Sequence, residues 1–368
     1  MMAEVTRRCL LAWLGATASG AAMATTGCLS DGRLKRPVNL TPRDRGDGWR
    51  LATPERVDLS PAHLRAVYDR VFSDYEFINA LSLLVVKNGF LVAEGYTRSD
   101  ADATRKGHVQ SVTKSLTSLA FGIQQSRGYF EDLDAPLADY LDVEPRDKRT
   151  ISLRHLLTMR SGIGVDNVLF SKQIVMRQQR DVTQWLLKQP LSHEPGKRFD
   201  YRDCDPQLLA AALLAETGES IEITVRRDVF EPLGIEGYHW EHDADDEALA
   251  AHGVWLSPRD LAKIGQLVLQ KGRWKNQQLV PSDWIVQATQ EQSTASESDA
   301  RSGLAYGYYF WVIPHLGWTA AWGHGGNFVL VAPEEDLVMV MTSMPDAGDE
   351  IGSSLPVFVQ LARQLVDS

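Results

Sequence analysis

The stretch His108–Gly128, "HVQSVTKSLTSLAFGIQQSRG", carries a single charged side chain between Val109 and Ser126, the amine of Lys114. Each residue of a helix turns the direction by about 100°, so side chains three and four apart share a face. Val112, Leu116, Leu119 and Ile123 then form one apolar face, and Ser111, Lys114, Ser115, Ser118 and Gly122 the opposite strip. A strip facing water normally carries several charges. Small residues with one lysine instead predict a helix buried all round, leaving room for the segment of Tyr201 to pack over the lysine.

Burial gives the lysine a use. Desolvation disfavours the ammonium and predicts a lowered pKa, so that the amine accepts a proton near neutral pH. A serine one turn away is then within reach of a base, the minimum for an activated nucleophile. The helix N-terminus adds free N–H groups and a positive dipole end, which favour charge developing on an attacked carbonyl. The bland alternative is a snorkelling lysine beside a capping serine.

The rest of the chain sets the frame. Its 368 residues suffice for one large domain or two modest ones, with 44% hydrophobic and 23% charged residues as in ordinary globular proteins. The formal net charge is −10, and no run of Lys and Arg makes a basic stripe. Nucleic acid is therefore not an expected partner. Residues 1–27 read as an export signal: Arg7 and Arg8, then an apolar region from Leu10 to about Met23, too short and too rich in Ala and Gly to span a membrane comfortably. "TRRCLL" resembles a twin-arginine export signal, and "TTGC" a lipobox in which Cys28 would be lipidated, with Thr25 where Leu is usual. An ordinary cleaved signal is the alternative. The expected location is the periplasmic face of a bacterial membrane, reached through a lipid anchor on Cys28. With Cys9 and Cys28 in the leader, Cys204 is the one thiol of the folded body, which excludes an internal disulfide and a thiolate zinc site.

Residues 28–53 are polar and punctuated by Pro37, Pro42, Gly46 and Gly48, and read as a flexible tether before a domain over 54–368. Ser60-Pro61 opens a helix. "LSLLVVKNGFLVAEGY" gives two β-rich runs joined by Asn88-Gly89, a hairpin signal. Helical patterns then dominate through "SPRDLAKIGQLVLQKG", and strands return in "YGYYFWVI", "GHGGNFVLVA" and "LVMVMTS" before a final helix. The expected fold is α+β: an antiparallel sheet built from about 54–105 and 302–368, with a mostly helical region over about 106–301.

Two further motifs join the first. In "PGKRFDYRDCDPQLL" the phenol of Tyr201 precedes a helix and can relay a proton between amine and hydroxyl. In "WGHGGNFVLVAPEEDLVMV" the glycines 323, 325 and 326 leave the chain bare around His324, so that a ligand can approach the backbone. A half-buried tyrosine and a β-bulge are the structural alternatives. Ser-Val-Thr-Lys, Tyr-Arg-Asp and His-Gly-Gly, in that order, resemble the serine β-lactamase and penicillin-binding superfamily. The resemblance is to the class C β-lactamase-related hydrolases, which include esterases, D-aminopeptidases and 6-aminohexanoate-dimer hydrolases, and it covers roughly residues 55–365.

This resemblance implies a β-lactamase/transpeptidase-like fold with the site in the cleft between sheet and helical region. It implies Ser111 as acylated nucleophile, Lys114 as its proton acceptor, and Tyr201 as a second proton-transfer group. The N–H groups of Ser111 and Asn327 would form the oxyanion hole, with His324, Gly325 and Gly326 lining the substrate. No cofactor or metal is implied. Two departures bear on substrate. Asp203 stands where penicillin-recognising members usually have Asn, and His324 where they have Lys, an imidazole being a weaker carboxylate anchor than an ammonium. Both point away from β-lactams toward the esterase and aminohexanoate-hydrolase branch, with Asp203 or Asp181 available to a substrate amine. The expected activity is hydrolysis of a small ester, amide or peptide; a β-lactamase or D,D-peptidase, and a non-catalytic lipoprotein binding peptidoglycan or a partner, are the alternatives. His239, His242 and His252 lie among carboxylates without a metal-ligand spacing and read as a solvated loop. Cys204 and His155 read as packing residues, and the tryptophans 185, 255, 311, 318 and 322 as core or cleft lining.

Overall fold

The computed structural model describes residues 39–144, 146–294, 303–344 and 354–366. The export signal and Cys28 lie outside them. Ser60 caps the first helix, α1 (Pro61–Ser73), accepting the His63 amide at 3.3 Å, with Pro61 at the first position. Strands β1 (Ala80–Lys87) and β2 (Phe90–Tyr96) form the expected hairpin, with Asn88 and Gly89 both at positive φ, 53° and 71°. After β3 (Gly107–His108) comes the opening helix, α2 (Val112–Ser126). The helical region continues through α3 (Leu153–Leu157), α4 (Val182–Lys188), α5 (Cys204–Thr217) and α6 (Ile221–Val225). Two short strands, β4 (His239–Trp240) and β5 (Val254–Leu256), join β3 in the order β3-β5-β4. The chain then forms α7 (Pro258–Leu269) and α8 (Ser282–Ala288).

The last strands are β6 (Ser293–Thr294), β7 (Ala305–Tyr306), β8 (Trp311–Ile313), β9 (Trp318–Gly323), β10 (Asn327–Ala332) and β11 (Leu337–Ser343), followed by α9 (Leu355–Val366). The main sheet runs β2-β1-β11-β10-β9-β8-β7-β6, antiparallel throughout. Its two chain ends meet where β1 pairs with β11, Leu84 opposite Val340. This is the α+β architecture expected, with the sheet starting slightly earlier, at Ser293. Helix α7 lies on β10 and β11 so closely that a Cβ at Gly265 would collide with Val338 and Val329.

One expectation is corrected. Residues 39–53 are not a free tether: the Trp49 ring is buried in the core, and Leu51 bridges Leu91. The cause is charge as well as packing. Arg259, nearly inaccessible, binds Asp47 at 2.6 and 2.9 Å and Glu94 at 2.8 Å. A buried guanidinium needs both carboxylates, so the segment that carries Asp47 is drawn onto the domain.

Candidate active site

Helix α2 is buried over 13 of its 15 residues, Val112 to Gln124, as its strip of small residues with one lysine required. Other elements fill the rest of the strip. The Ser115 hydroxyl donates to the Tyr309 carbonyl at 2.7 Å, and Gly122 faces Trp284, whose indole a Cβ there would strike. The segment of Tyr201 packs over Lys114.

Ser111 stands at the N-cap position with helical φ and ψ, −65° and −3°, and its side chain makes no capping bond. Its hydroxyl is instead 2.7 Å from Lys114 Nζ, which rules out the capping-serine alternative. The amine also donates to the Ala251 carbonyl at 2.9 Å and reaches Asp203 Oδ1 at 2.7 Å. Three acceptors match the three protons of an ammonium. The Tyr201 ring centroid lies 4.9 Å from Nζ. That ring is stacked on Trp311 at 5.7 Å and meets Tyr306 edge-on.

Two sequence expectations change here. Burial does work against the Lys114 ammonium, as expected, but the Asp203 charge and Tyr201 oppose it and win, holding the amine above its ordinary value. Asp203 is only 6% exposed and its carboxylate is committed to Lys114, so it is not offered to a substrate amine. Asp181 is also elsewhere: it lines a cavity of about 560 Å³ with Asp243, Asp245 and Glu247, away from the side chains around Lys114.

The third motif forms the tight turn His324–Gly326 between β9 and β10, with Gly325 and Gly326 at φ 79° and 96°. His324 is exposed. Asn327 is buried and knits the turn, donating from Nδ2 to the His324 carbonyl at 3.0 Å and accepting the Ser343 amide at 3.1 Å. The turn reaches the nucleophile because β9 ends on Gly323, where any Cβ would strike the Val109 carbonyl. Only glycine lets this strand end lie against the backbone just before Ser111.

Several contributors carried no sequence signal. Asn167, on a short helical turn, accepts the Asp203 amide at 2.9 Å and donates to the Tyr201 carbonyl at 3.3 Å, clamping both residues. Ala251 acts through its carbonyl, which no side-chain pattern reveals. His252 next to it is buried, and burial pushes its pKa down to about 4. His242 bonds Glu222 at 2.9 Å and His239 is exposed, so the three loop histidines do not converge. Cys204 is buried, its thiol pushed well up by burial and by Asp205. Trp311 and Trp322, 5.3 Å apart, extend the aromatic wall beside Tyr201, whereas Trp318 is core.

Comparison with known proteins agrees with this architecture. The Beta-lactamase family model matches residues 68–362. An uncharacterised protein of Alkalihalophilus pseudofirmus is 24% identical over 301 residues, covering 70% of this chain and 82% of its own length. Protein flp of Staphylococcus aureus is 24% identical over 298 residues, covering 72% of this chain but only 59% of its own length. Among solved structures, one from Bacillus anthracis, provisionally described as a 6-aminohexanoate-dimer hydrolase, superposes with TM-score 0.69 at 18% identity over 90% of each chain. A family VIII carboxylesterase gives TM-score 0.66 at 15% identity, over 84% of this chain and 98% of its own. At such identities these likenesses speak to fold. The matched residues span both halves of the sheet and the whole helical region, and the chain belongs to the Beta-lactamase family, within the serine β-lactamase and penicillin-binding superfamily.

Proposed function

We propose that this protein is an exported, lipid-anchored serine hydrolase that cleaves a small ester or amide through an acyl-enzyme on Ser111. The observation that carries the reading is the 2.7 Å contact between Ser111 Oγ and Lys114 Nζ in a buried setting. Chemistry starts from molecules in which Lys114 is neutral. Its lone pair takes the Ser111 proton as Oγ bonds to the substrate carbonyl carbon, and the backbone N–H groups of Ser111 and Asn327 receive the negative oxygen. Asp203 stabilises the ammonium that forms, in the way a buried carboxylate supports a general base. Lys114, with Tyr201 as relay, passes the proton to the leaving oxygen or nitrogen. Water then repeats the sequence in reverse order of partners, its proton returning to Ser111 and the acid leaving.

The aromatic wall of Tyr201, Trp311 and Trp322 favours an apolar acyl or alcohol group, and His324 replaces the ammonium that would hold a substrate carboxylate. Esters with an uncharged acyl group are the expected substrates.

A fluorophosphonate probe with mass mapping tests the mechanism: labelling is expected on Ser111 and lost in Ser111→Ala. Folded protein that the probe leaves unlabelled would overturn it. Rates on short-chain p-nitrophenyl esters, a chromogenic cephalosporin and a D-alanyl peptide then order the substrates. Globomycin-sensitive processing with acylated Cys28 is the expected readout for the anchor, and an unmodified mature chain beginning elsewhere would remove that part.

A further inference from the structure

The residue before the nucleophile is in an unusual state. Gln110 has φ 53°, the left-handed region that side chains other than glycine enter at a cost. Its carbonyl accepts both the amide and the hydroxyl of Thr113, at 3.0 and 2.8 Å, and so starts α2. Its amide donates to His108 Nδ1 at 3.0 Å. An imidazole nitrogen accepts such a bond only when it carries no proton. In neutral His108 the proton is then on Nε2, and Glu241 Oε2 lies 3.4 Å from that nitrogen. The other Glu241 oxygen takes the Trp255 indole N–H at 3.0 Å, and the Trp255 ring stands edge-on to His108 at 5.2 Å. β3 pairs His108 with Trp255, so the sheet register sets the whole chain of contacts.

His108, Glu241 and His252 each bring one potential ligand atom within 4.8 Å of the others, and His252 Nε2 is buried without a hydrogen-bond partner. A metal cradle is nevertheless disfavoured by chemistry. A metal on His108 Nε2 would require the proton on Nδ1, where it would face the Gln110 N–H.

We propose that His108 is a positioning residue for Ser111: its Nδ1, left unprotonated because Glu241 favours the Nε2–H tautomer, holds Gln110 in the conformation that aims the serine hydroxyl at Lys114. This rests on the reading of Ser111 as nucleophile. In this role His108 acts through the Gln110 backbone. The arrangement carries the logic of a base oriented by a carboxylate into the positioning of the nucleophile's own turn.

Two substitutions separate this role from packing. Asn presents its amide oxygen where Nδ1 stands, whereas Gln places its amide farther out, where Nε2 stands. H108N is expected to keep the rate of fluorophosphonate labelling at Ser111 within about threefold of wild type. H108Q and H108A are expected to lose about tenfold or more, with KM little changed, as misaimed reacting groups do. If H108N is as slow as H108Q, or if H108Q is as fast as wild type, the proposal is overturned. Should H108A fail to fold, the H108N and H108Q pair decides alone. E241A is expected to slow labelling in the wild-type background and to have a smaller effect in the H108N background, where there is no tautomer to select. An equal cost in both backgrounds would remove Glu241 from the proposal. Ser111→Ala keeps the two levels apart. Undiminished activity in that variant overturns the nucleophile itself, whereas a silent Ser111→Ala with unaffected His108 variants overturns only the positioning role.

Discussion

Lys114 Nζ lies 2.7 Å from Asp203 Oδ1 and 2.7 Å from Ser111 Oγ, so one buried ammonium is shared between a carboxylate and the candidate nucleophile. The pair is electrically neutral as a unit, which lets it sit where a lone charge could not. It also ties reactivity and stability to the same contact.

The first consequence concerns the lysine itself. Lys114→Ala should abolish acylation, a loss of about 10²–10⁴-fold or more for a missing proton acceptor. It should also cost stability, because Asp203 would be left buried without its cation, worth about 3–5 kcal/mol. Adding Asp203→Asn to Lys114→Ala should restore most of that stability without restoring activity. Urea titrations of the wild type and the two variants check this, and a double variant no more stable than Lys114→Ala would contradict the pairing.

Asp203→Asn alone should change the pH dependence. Burial lowers the Lys114 pKa, but Asp203 and Tyr201 together raise it above the ordinary lysine value. The neutral amine is therefore scarce at pH 7, and the wild-type acylation rate should climb with pH well into the alkaline range. Removing the carboxylate lets burial dominate, so the rising limb should move to lower pH, by at least about one unit. The plateau should fall, since the ammonium formed during reaction loses its support. An unmoved limb in a stopped-flow pH series would show that Lys114 does not set it.

Asp205 gives a stability prediction with the opposite outcome from an ordinary salt-bridged acid. Burial raises its pKa from 3.8 to about 7, against the opposing bonds from Ser161, whose hydroxyl donates at 2.5 Å. The folded state thus binds a proton that the unfolded chain releases, and stability should fall as pH rises from about 4 to 7. The amplitude is on the order of 4 kcal/mol for this one group. Asp205→Asn should flatten that slope in chemical denaturation at several pH values. An unchanged slope would assign the pH dependence to other groups.

Gly122→Ala inserts a methyl group where Trp284 lies against α2. Alanine is the better helix former by about 1 kcal/mol, yet overpacking typically costs about 1–3 kcal/mol. Net destabilisation is expected, visible as a lower thermal midpoint. A stabilised variant would mean the indole moves aside freely.

Much of the fold was written locally. The Asn88-Gly89 turn, the cap at Ser60, and the apolar face of α2 each rest on neighbours in sequence, and each appears where the pattern puts it. Ser111 and Lys114 are similarly legible, because three residues on a helix bring their side chains together whatever surrounds them. Residues 39–53 were misread because polar, Pro- and Gly-containing sequence looks alike in a tether and in a docked arm. The difference lies in Arg259, 212 positions from Asp47.

The sequence by itself determined the antiparallel α+β plan, the buried helix and the serine–lysine pair, all consequences of short-range periodicity and side-chain spacing. Only the tertiary structure decided the state of the lysine. Burial, readable from composition, lowers an amine's pKa, but the carboxylate that reverses the sign arrives from 89 residues further along the chain, on the turn before α5. Likewise the placement of Tyr201 and Asp203 by Asn167, the Ala251 carbonyl on Nζ, and the His108 contact that shapes Gln110 depend on long-range approach. Electrostatic sign at a buried site is set by which charges meet there, and that is a property of the assembled fold.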